Sequence, residues 1–221
     1  MTKLGAIYYP VTDKEGKKVP FDNLYIPYIY REIYFEGVYT DILNSKNDMV
    51  MLDIGANIGL ITDHFRSHCK KIYAIEPSTI HFTALKKNKE FNHWDNVEIF
   101  NMAMADKNGE MMLNLNDNNQ TCHSLVLKSD KGEMVKTISF DTFMEENNID
   151  TVDFCKSDVE GAEDMIYRSE GFRKVAPRIK SIMMEMHFPN WMELVEYMSS
   201  LGYTPKRYAS SAIIILFTRN D

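Results

Sequence analysis

Cysteine is scarce in this chain. Cys69, Cys122 and Cys155 are odd in number, far apart and without a C-x-x-C pair, so neither a disulfide framework nor a cysteine zinc site is indicated. Long apolar runs are also missing. No segment approaches the roughly 18 apolar residues of a membrane span, and the purest aliphatic stretch, Ala212 to Phe217, suits a buried strand. The first ten residues, Met1 to Pro10, lack the apolar core of a secretory signal. A reducing cytoplasm is the expected setting. An excess of basic residues is absent too: Lys and Arg total 25 against 32 for Asp and Glu, a formal net charge of −7. That weighs against a general polyanion binder. No internal repeat or low-complexity linker is visible.

What is present is enough apolar material for one sizeable core: 221 residues, 44% hydrophobic and 26% charged. The texture changes near residue 46. Before it, Tyr25, Tyr28, Tyr30, Tyr34, Phe35 and Tyr39 crowd a short segment, read as an N-terminal aromatic-rich cap over residues 1–46. After it, over 47–221, strand-like and helix-like stretches alternate. Strands are predicted at Met49 to Ile54, Lys71 to Ile75, Val97 to Phe100, Val152 to Asp158, Ile179 to Met186, Tyr203 to Tyr208 and Ala212 to Thr218. Between them, Ile58, Ile61 and Phe65, then Phe82 and Leu85, then Ala162, Met165 and Ile166, and finally Trp191, Leu194, Val195, Met198 and Leu201 fall at helical spacing. Ser78 and Asn190 are the expected caps, and Gly171 and Gly202 the expected stops. Residues 110–138 read as a β-rich insertion. This order predicts an α/β fold with a mainly parallel sheet covered by helices, and a ligand beyond the carboxyl ends of the strands.

Four segments carry chemistry. Met51-Leu-Asp53-Ile-Gly55-Ala-Asn57-Ile-Gly59 is a glycine-containing strand-to-helix turn. It is not G-x-G-x-x-G, and its acid before the first glycine would repel a pyrophosphate but suit an ammonium group. Glu76, followed by Pro77 and placed at the end of the second strand, can accept hydrogen bonds from both ribose hydroxyls of an adenosine. Lys156-Ser-Asp158-Val-Glu160-Gly161-Ala-Glu163 ends the fourth strand, and Met184-Glu185-Met186-His187 the fifth. Strand alternation puts Asp158 with Glu160, and Glu185 with His187. On neighbouring strands these groups would converge. They include donor types suited to Mg²⁺ or Mn²⁺, but acids at strand ends more often serve caps and salt bridges, so no metal is assigned.

With these residues in view, the sequence resembles the FkbM family of S-adenosylmethionine-dependent methyltransferases. The matching stretches are LDIGANIG (52–59), AIEPS (74–78), NMAMAD (101–106), FDTF (140–143), KSDVEGAE (156–163) and MEMH (184–187). The resemblance implies a class I methyltransferase (Rossmann-like) fold whose seven-stranded sheet has an antiparallel last strand and helices on both faces. It implies methyl transfer from S-adenosyl-L-methionine to an oxygen of a small molecule, commonly a sugar hydroxyl. Carried over by residue, Asp53, Gly55, Asn57 and Gly59 form the methionine-side loop. Glu76 holds the ribose, Asn101 and Met102 lie against the adenine, and Asp158 sits beside the sulfonium. Glu36 and Tyr39 are the contacts expected from the cap.

The expected reaction is in-line attack of the acceptor oxygen on the methyl carbon. Alignment alone can be worth about 7–11 kcal/mol, and an alcohol benefits from a base within hydrogen-bond reach. His187 is the first candidate for that base, with an ordinary pKa of about 6.5, and Asp158 the second. Other readings are a nicotinamide-dependent oxidoreductase, which wants the missing G-x-G-x-x-G, and a nucleic-acid methyltransferase, which wants an N-P-P-Y/F type motif or a basic stripe. A noncatalytic S-adenosylmethionine-binding protein would bind the nucleoside without forming product.

Overall fold

In the computed structural model, residues 39, 42–43, 47–115, 123–126, 129–209 and 212–219 are described. Most of the 1–46 cap, including Glu36, and Cys122 therefore lie outside the described residues. Among the described residues, ten strands and six α-helices follow one another: β1 (Met49–Ile54), α1 (Leu60–Phe65), β2 (Cys69–Ile75), α2 (Thr79–Phe91), β3 (Val97–Phe100), β4 (Ala103–Met104), β5 (Gly109–Asn114), β6 (Gly132–Ile138), α3 (Phe140–Glu146), β7 (Phe154–Ser157), α4 (Glu163–Tyr167), α5 (Glu170–Val175), β8 (Ser181–Glu185), α6 (Trp191–Ser200), β9 (Tyr203–Ala209) and β10 (Ile213–Arg219).

Seven strands make one sheet in the order β3-β2-β1-β7-β8-β10-β9. β1 pairs in parallel with β2 and β7, β2 with β3, and β7 with β8, whereas β10 is antiparallel to both β8 and β9. Alternation along each strand divides the core between two faces. In β1, Met49 and Met51 pack with α1 and α2, while Leu52 and Ile54 pack with α3, α4, α5 and α6. Ile214 and Leu216 of β10 face the first layer, and Ile215 and Phe217 the second. Sequence order reverses between β1 and β7, so a crevice opens beyond their carboxyl ends.

The β-rich insertion is a separate three-stranded sheet, β4-β6-β5. It is fastened over the crevice by side chains. Glu133 of β6 accepts hydrogen bonds from the Thr79 backbone N–H (2.9 Å) and hydroxyl (2.7 Å) at the start of α2. The Ser124 hydroxyl donates to the carbonyl of Glu160 at 2.6 Å.

Three local expectations change. Ser78 precedes α2 as expected, but its side chain makes no cap; the Glu133 carboxylate satisfies the helix start instead. Asn190 likewise precedes α6 without a side-chain cap. Gly171 is no helix stop, because α4 ends at Tyr167 and Gly171 lies inside α5. It is glycine because α5 packs closely on the start of α3: a Cβ there would come within 2.6 Å of Asp141 Oδ1. Gly202 does end α6, at φ 91°.

Candidate functional site

A cleft with about 570 Å³ of empty space, partly open to solvent, lies at the reversal point. Its walls include Ile54, Ile75, Met104, Leu113, Leu125 and Val159, and its polar groups come from Asn57, Glu76, His81, His123, Asp158 and Glu160. Apolar walls with a few polar groups are what a nucleoside-sized ligand needs.

Glu76 follows β2 directly and is 5% exposed. Its Oε2 accepts the Asn57 backbone N–H at 2.8 Å, and its Oε1 accepts that of Ser78 at 2.9 Å. A carboxylate has about four acceptor positions, so two remain after these fixed bonds. The Asn101 side-chain amide donates to the carbonyls of Glu76 (3.0 Å) and Pro77 (2.9 Å) and so fixes this turn from outside. Asn101 and Met102 do not line the cleft; Ala103 and Met104 form its wall there. Behind Glu76 the His81 ring is stacked on that of His123, with centroids 4.9 Å apart.

The glycine turn works differently from its sequence reading. Gly55, at φ +73°, lies against the end of β7, and a Cβ would stand 1.9 Å from the Asp158 carbonyl oxygen. Gly59, at φ +93°, faces Leu85 and Trp94 rather than the cleft. Both glycines serve close packing of the turn, although Gly55 and Asn57 also reach the cleft wall. Asp53 is fully buried and does not line the cleft. It accepts the Thr62 hydroxyl at 2.6 Å and lies 3.8 Å from Lys156 Nζ. Burial, opposed by Lys156 and the Thr62 bond, pushes the Asp53 carboxyl above its usual range. The cation that the early acid faces is therefore Lys156. Tyr39 is also elsewhere: its ring packs edge-on against Phe65 in the core, with centroids 5.6 Å apart.

Lys156, the first residue of the 156–163 motif, has a role that its sequence position does not reveal. Its buried ammonium donates to the Gly55 carbonyl at 2.7 Å and lies 3.6 Å from Asp158 Oδ2. Although burial opposes its charge, Asp158, Asp53, Glu185 and Glu76 raise its pKa. A lysine inside an apolar strand core, between Cys155 and Ser157, was the available signal.

Beyond β7 and β8 the acidic groups do converge, by a different route than strand alternation. Asp158 to Gly161 form a turn with positive φ at Glu160 and Gly161, and His187 lies past the end of β8. The His187 Nδ1 is 2.8 Å from Glu163 Oε1. Its Nε2 is 3.5 Å from Glu185 Oε1, 3.7 Å from Glu160 Oε2 and 3.8 Å from Asp158 Oδ1. Burial is the largest influence on this ring and opposes its charge, but the bonds to Glu163 and Glu185 and the charges of Asp158 and Glu160 outweigh it. The pKa rises to about 11. An imidazole that already holds its proton at neutral pH is poorly suited to the role of base first expected of it. Glu163 is fully buried, for which the sequence carries no signal beyond its place in the 156–163 motif.

Sheet order, a single reversed strand direction and a cleft at the β1/β7 crossing define a class I methyltransferase fold. The sequence matches the model of the methyltransferase FkbM domain over residues 53–205, and the chain belongs to that family. Solved structures agree on the fold. The FkbM methyltransferase of Methylobacillus flagellatus KT has a TM-score of 0.61 at 16% identity, over 85% of this chain and 47% of that one. This chain thus spans about half the length of that relative. An rRNA methylase from Streptococcus thermophilus follows at TM-score 0.56 and 10% identity, over 83% of this chain and 94% of that one. M. capricolum TrmK, solved with S-adenosyl-homocysteine, has TM-score 0.51 and 13% identity, covering 82% and 67%. No curated protein matches the sequence. Among the described residues, no helix is long and apolar enough to cross a membrane.

Proposed function

We propose that this protein is an S-adenosyl-L-methionine-dependent O-methyltransferase that acts on a hydroxyl of a small molecule such as a sugar. The observation that carries the reading is the Glu76 carboxylate. It is fixed by two backbone N–H groups at the mouth of an apolar cleft, with acceptor capacity left for a pair of vicinal hydroxyls. The residues fit the cofactor in other respects. Ile75, Met104, Leu113 and Leu125 offer apolar walls for a purine, and Asp158 and Glu160 line the cleft as groups that favour a neighbouring positive charge. Family membership and the homocysteine nucleoside bound to TrmK support the same cofactor. When bound, it supplies an electrophilic methyl group on a sulfonium.

The chain's own contribution is alignment and charge. Glu76 anchors the ribose, and Gly55 and Asn57 shape the loop beside it. Asp158 accepts the hydrogen bond of the acceptor hydroxyl, orients its oxygen and receives its proton as the methyl–oxygen bond forms. His187, held by Glu163, is a positioning residue for the carboxylates around it. The −7 net charge favours a small acceptor over a nucleic acid. The buried free thiols of Cys69 and Cys155 suit a reducing cytoplasm. We propose residues 47–221 as the cofactor-binding domain and 1–46 as a cap segment.

The test is incubation with S-adenosylmethionine and a panel of sugars, hydroxy acids and phenols, followed by mass analysis. An O-methylated product formed together with S-adenosylhomocysteine is expected. Tight binding of NAD⁺ with no binding of either sulfur nucleoside would overturn the reading. Binding of the nucleosides without product from any acceptor class would favour a noncatalytic role.

A further inference from the structure

We propose that Asp158, Glu185 and His187 form a site for one divalent cation of the Mn²⁺ type, at the edge of the cleft. We further propose that the cation selects acceptors with two adjacent oxygens. The second part rests on the methyltransferase reading; the cation site does not.

The first argument is spacing. One donor atom from each of the three residues lies within 4.8 Å of the others. Two ligands each about 2.1 Å from one ion stand about 3.0 Å apart at right angles and about 4.2 Å apart when opposed. The His187 Nε2 is 3.5 Å from Glu185 Oε1 and 3.8 Å from Asp158 Oδ1, inside that window.

The second argument is independent of spacing. Glu163 is fully buried, and its Oε2 has no hydrogen-bond partner among the described residues. Asp158 Oδ1, which faces His187 Nε2, is also buried and without one. Buried carboxylate oxygens lacking donors are costly, and four carboxylates gather here around one imidazole, with the Lys156 ammonium 3.6 Å from Asp158 Oδ2. A divalent ion that takes the place of the His187 Nε2 proton, which is released to solvent, adds one positive charge to the cluster. The remaining oxygen of Glu163, Oε1, holds His187 Nδ1 at 2.8 Å. That carboxylate–histidine pairing turns Nε2 toward Asp158 and Glu185, the orientation a metal-binding imidazole needs.

Two carboxylates and one imidazole suit Mn²⁺ or a similar oxygen-preferring ion. Three protein ligands leave open positions in a six-coordinate shell, enough for two oxygens of one acceptor. Asp158 lines the cleft while Glu185 and His187 do not, so the open side faces the ligand. With the cation in place Asp158 becomes a ligand, the ion acidifies the bound hydroxyl, and the proton passes to Glu160, the other carboxylate on the cleft wall.

The test is titration of the chelator-treated full chain with Mn²⁺, followed by electron paramagnetic resonance, with S-adenosylhomocysteine titrated in parallel. One ion per chain is expected. Glu185→Gln and His187→Gln should weaken it at least about tenfold, and Glu163→Gln about 10–100-fold, with nucleoside binding retained as the check of folding. Absence of Mn²⁺ binding in the wild type, or equal affinity in all variants, overturns the site. Mn²⁺ binding without nucleoside binding keeps the site and overturns the acceptor reading.

Discussion

The two sides of the crevice are built on opposite electrostatic plans. On the β2 side, the Glu76 carboxylate is met by two backbone N–H groups, and the turn behind it is held by Asn101. On the β7/β8 side, Asp158, Glu160, Glu163 and Glu185 crowd around His187, and two of their buried oxygens have no donor among the described residues. The first arrangement is complete in the protein alone and has spare capacity for neutral hydroxyls. The second has excess negative charge and calls for a positive group. Under the proposed function, a neutral sugar ring sits at one end and a positive charge at the other, which this asymmetry suits.

The contrast can be broken at several depths. Gly55→Ala strikes both sides at once, because its Cβ would collide with the Asp158 carbonyl at positive φ. Strain of about 1–3 kcal/mol and overpacking of about 1–3 kcal/mol add to roughly 4 kcal/mol of lost stability, measurable by urea unfolding. Asp158→Asn alters only the acidic side. It should lower kcat by about 10²–10⁴-fold in a product assay, with nucleoside affinity changed less than kcat. Glu133→Ala touches only the support of the Glu76 side, by uncapping α2. About 1 kcal/mol should be lost, again read by urea unfolding. The smallest effect belongs to groups outside both sides. Burial pushes the Cys69 and Cys155 thiols up to about 12. At pH 8.5 they should stay protonated and unalkylated by iodoacetamide in the folded chain, and react after denaturation, as peptide mapping would show.

Most of the sheet was legible because buried parallel strands read as apolar runs: β1 and β3 have the bounds their residues predict. Glu76 was legible because the end of a strand fixes where a carboxylate points. The glycines were harder. A sequence shows that Gly55 and Gly59 permit close approach, but whether a ligand, the Asp158 carbonyl or Trp94 approaches is set by tertiary packing. Asp53 looked like an ammonium ligand for the same reason, since its partner Lys156 is about a hundred residues away on the paired strand β7. His187 had the residue type of a base, yet its proton affinity depends on four carboxylates, three of them from the distant 158–163 stretch. His123 gave no signal, because its place over His81 depends on how the small sheet docks.

The central claim is that Glu76 and the cleft beside it hold the adenosine of a sulfur nucleoside. Calorimetric titration with S-adenosylhomocysteine of the wild type and of Glu76→Ala tests it most directly. Two hydrogen bonds to a charged group are worth about 3 kcal/mol together, so the variant should bind about 100-fold more weakly while staying folded. Equal affinity in the two proteins, or no binding by the wild type, would contradict the account.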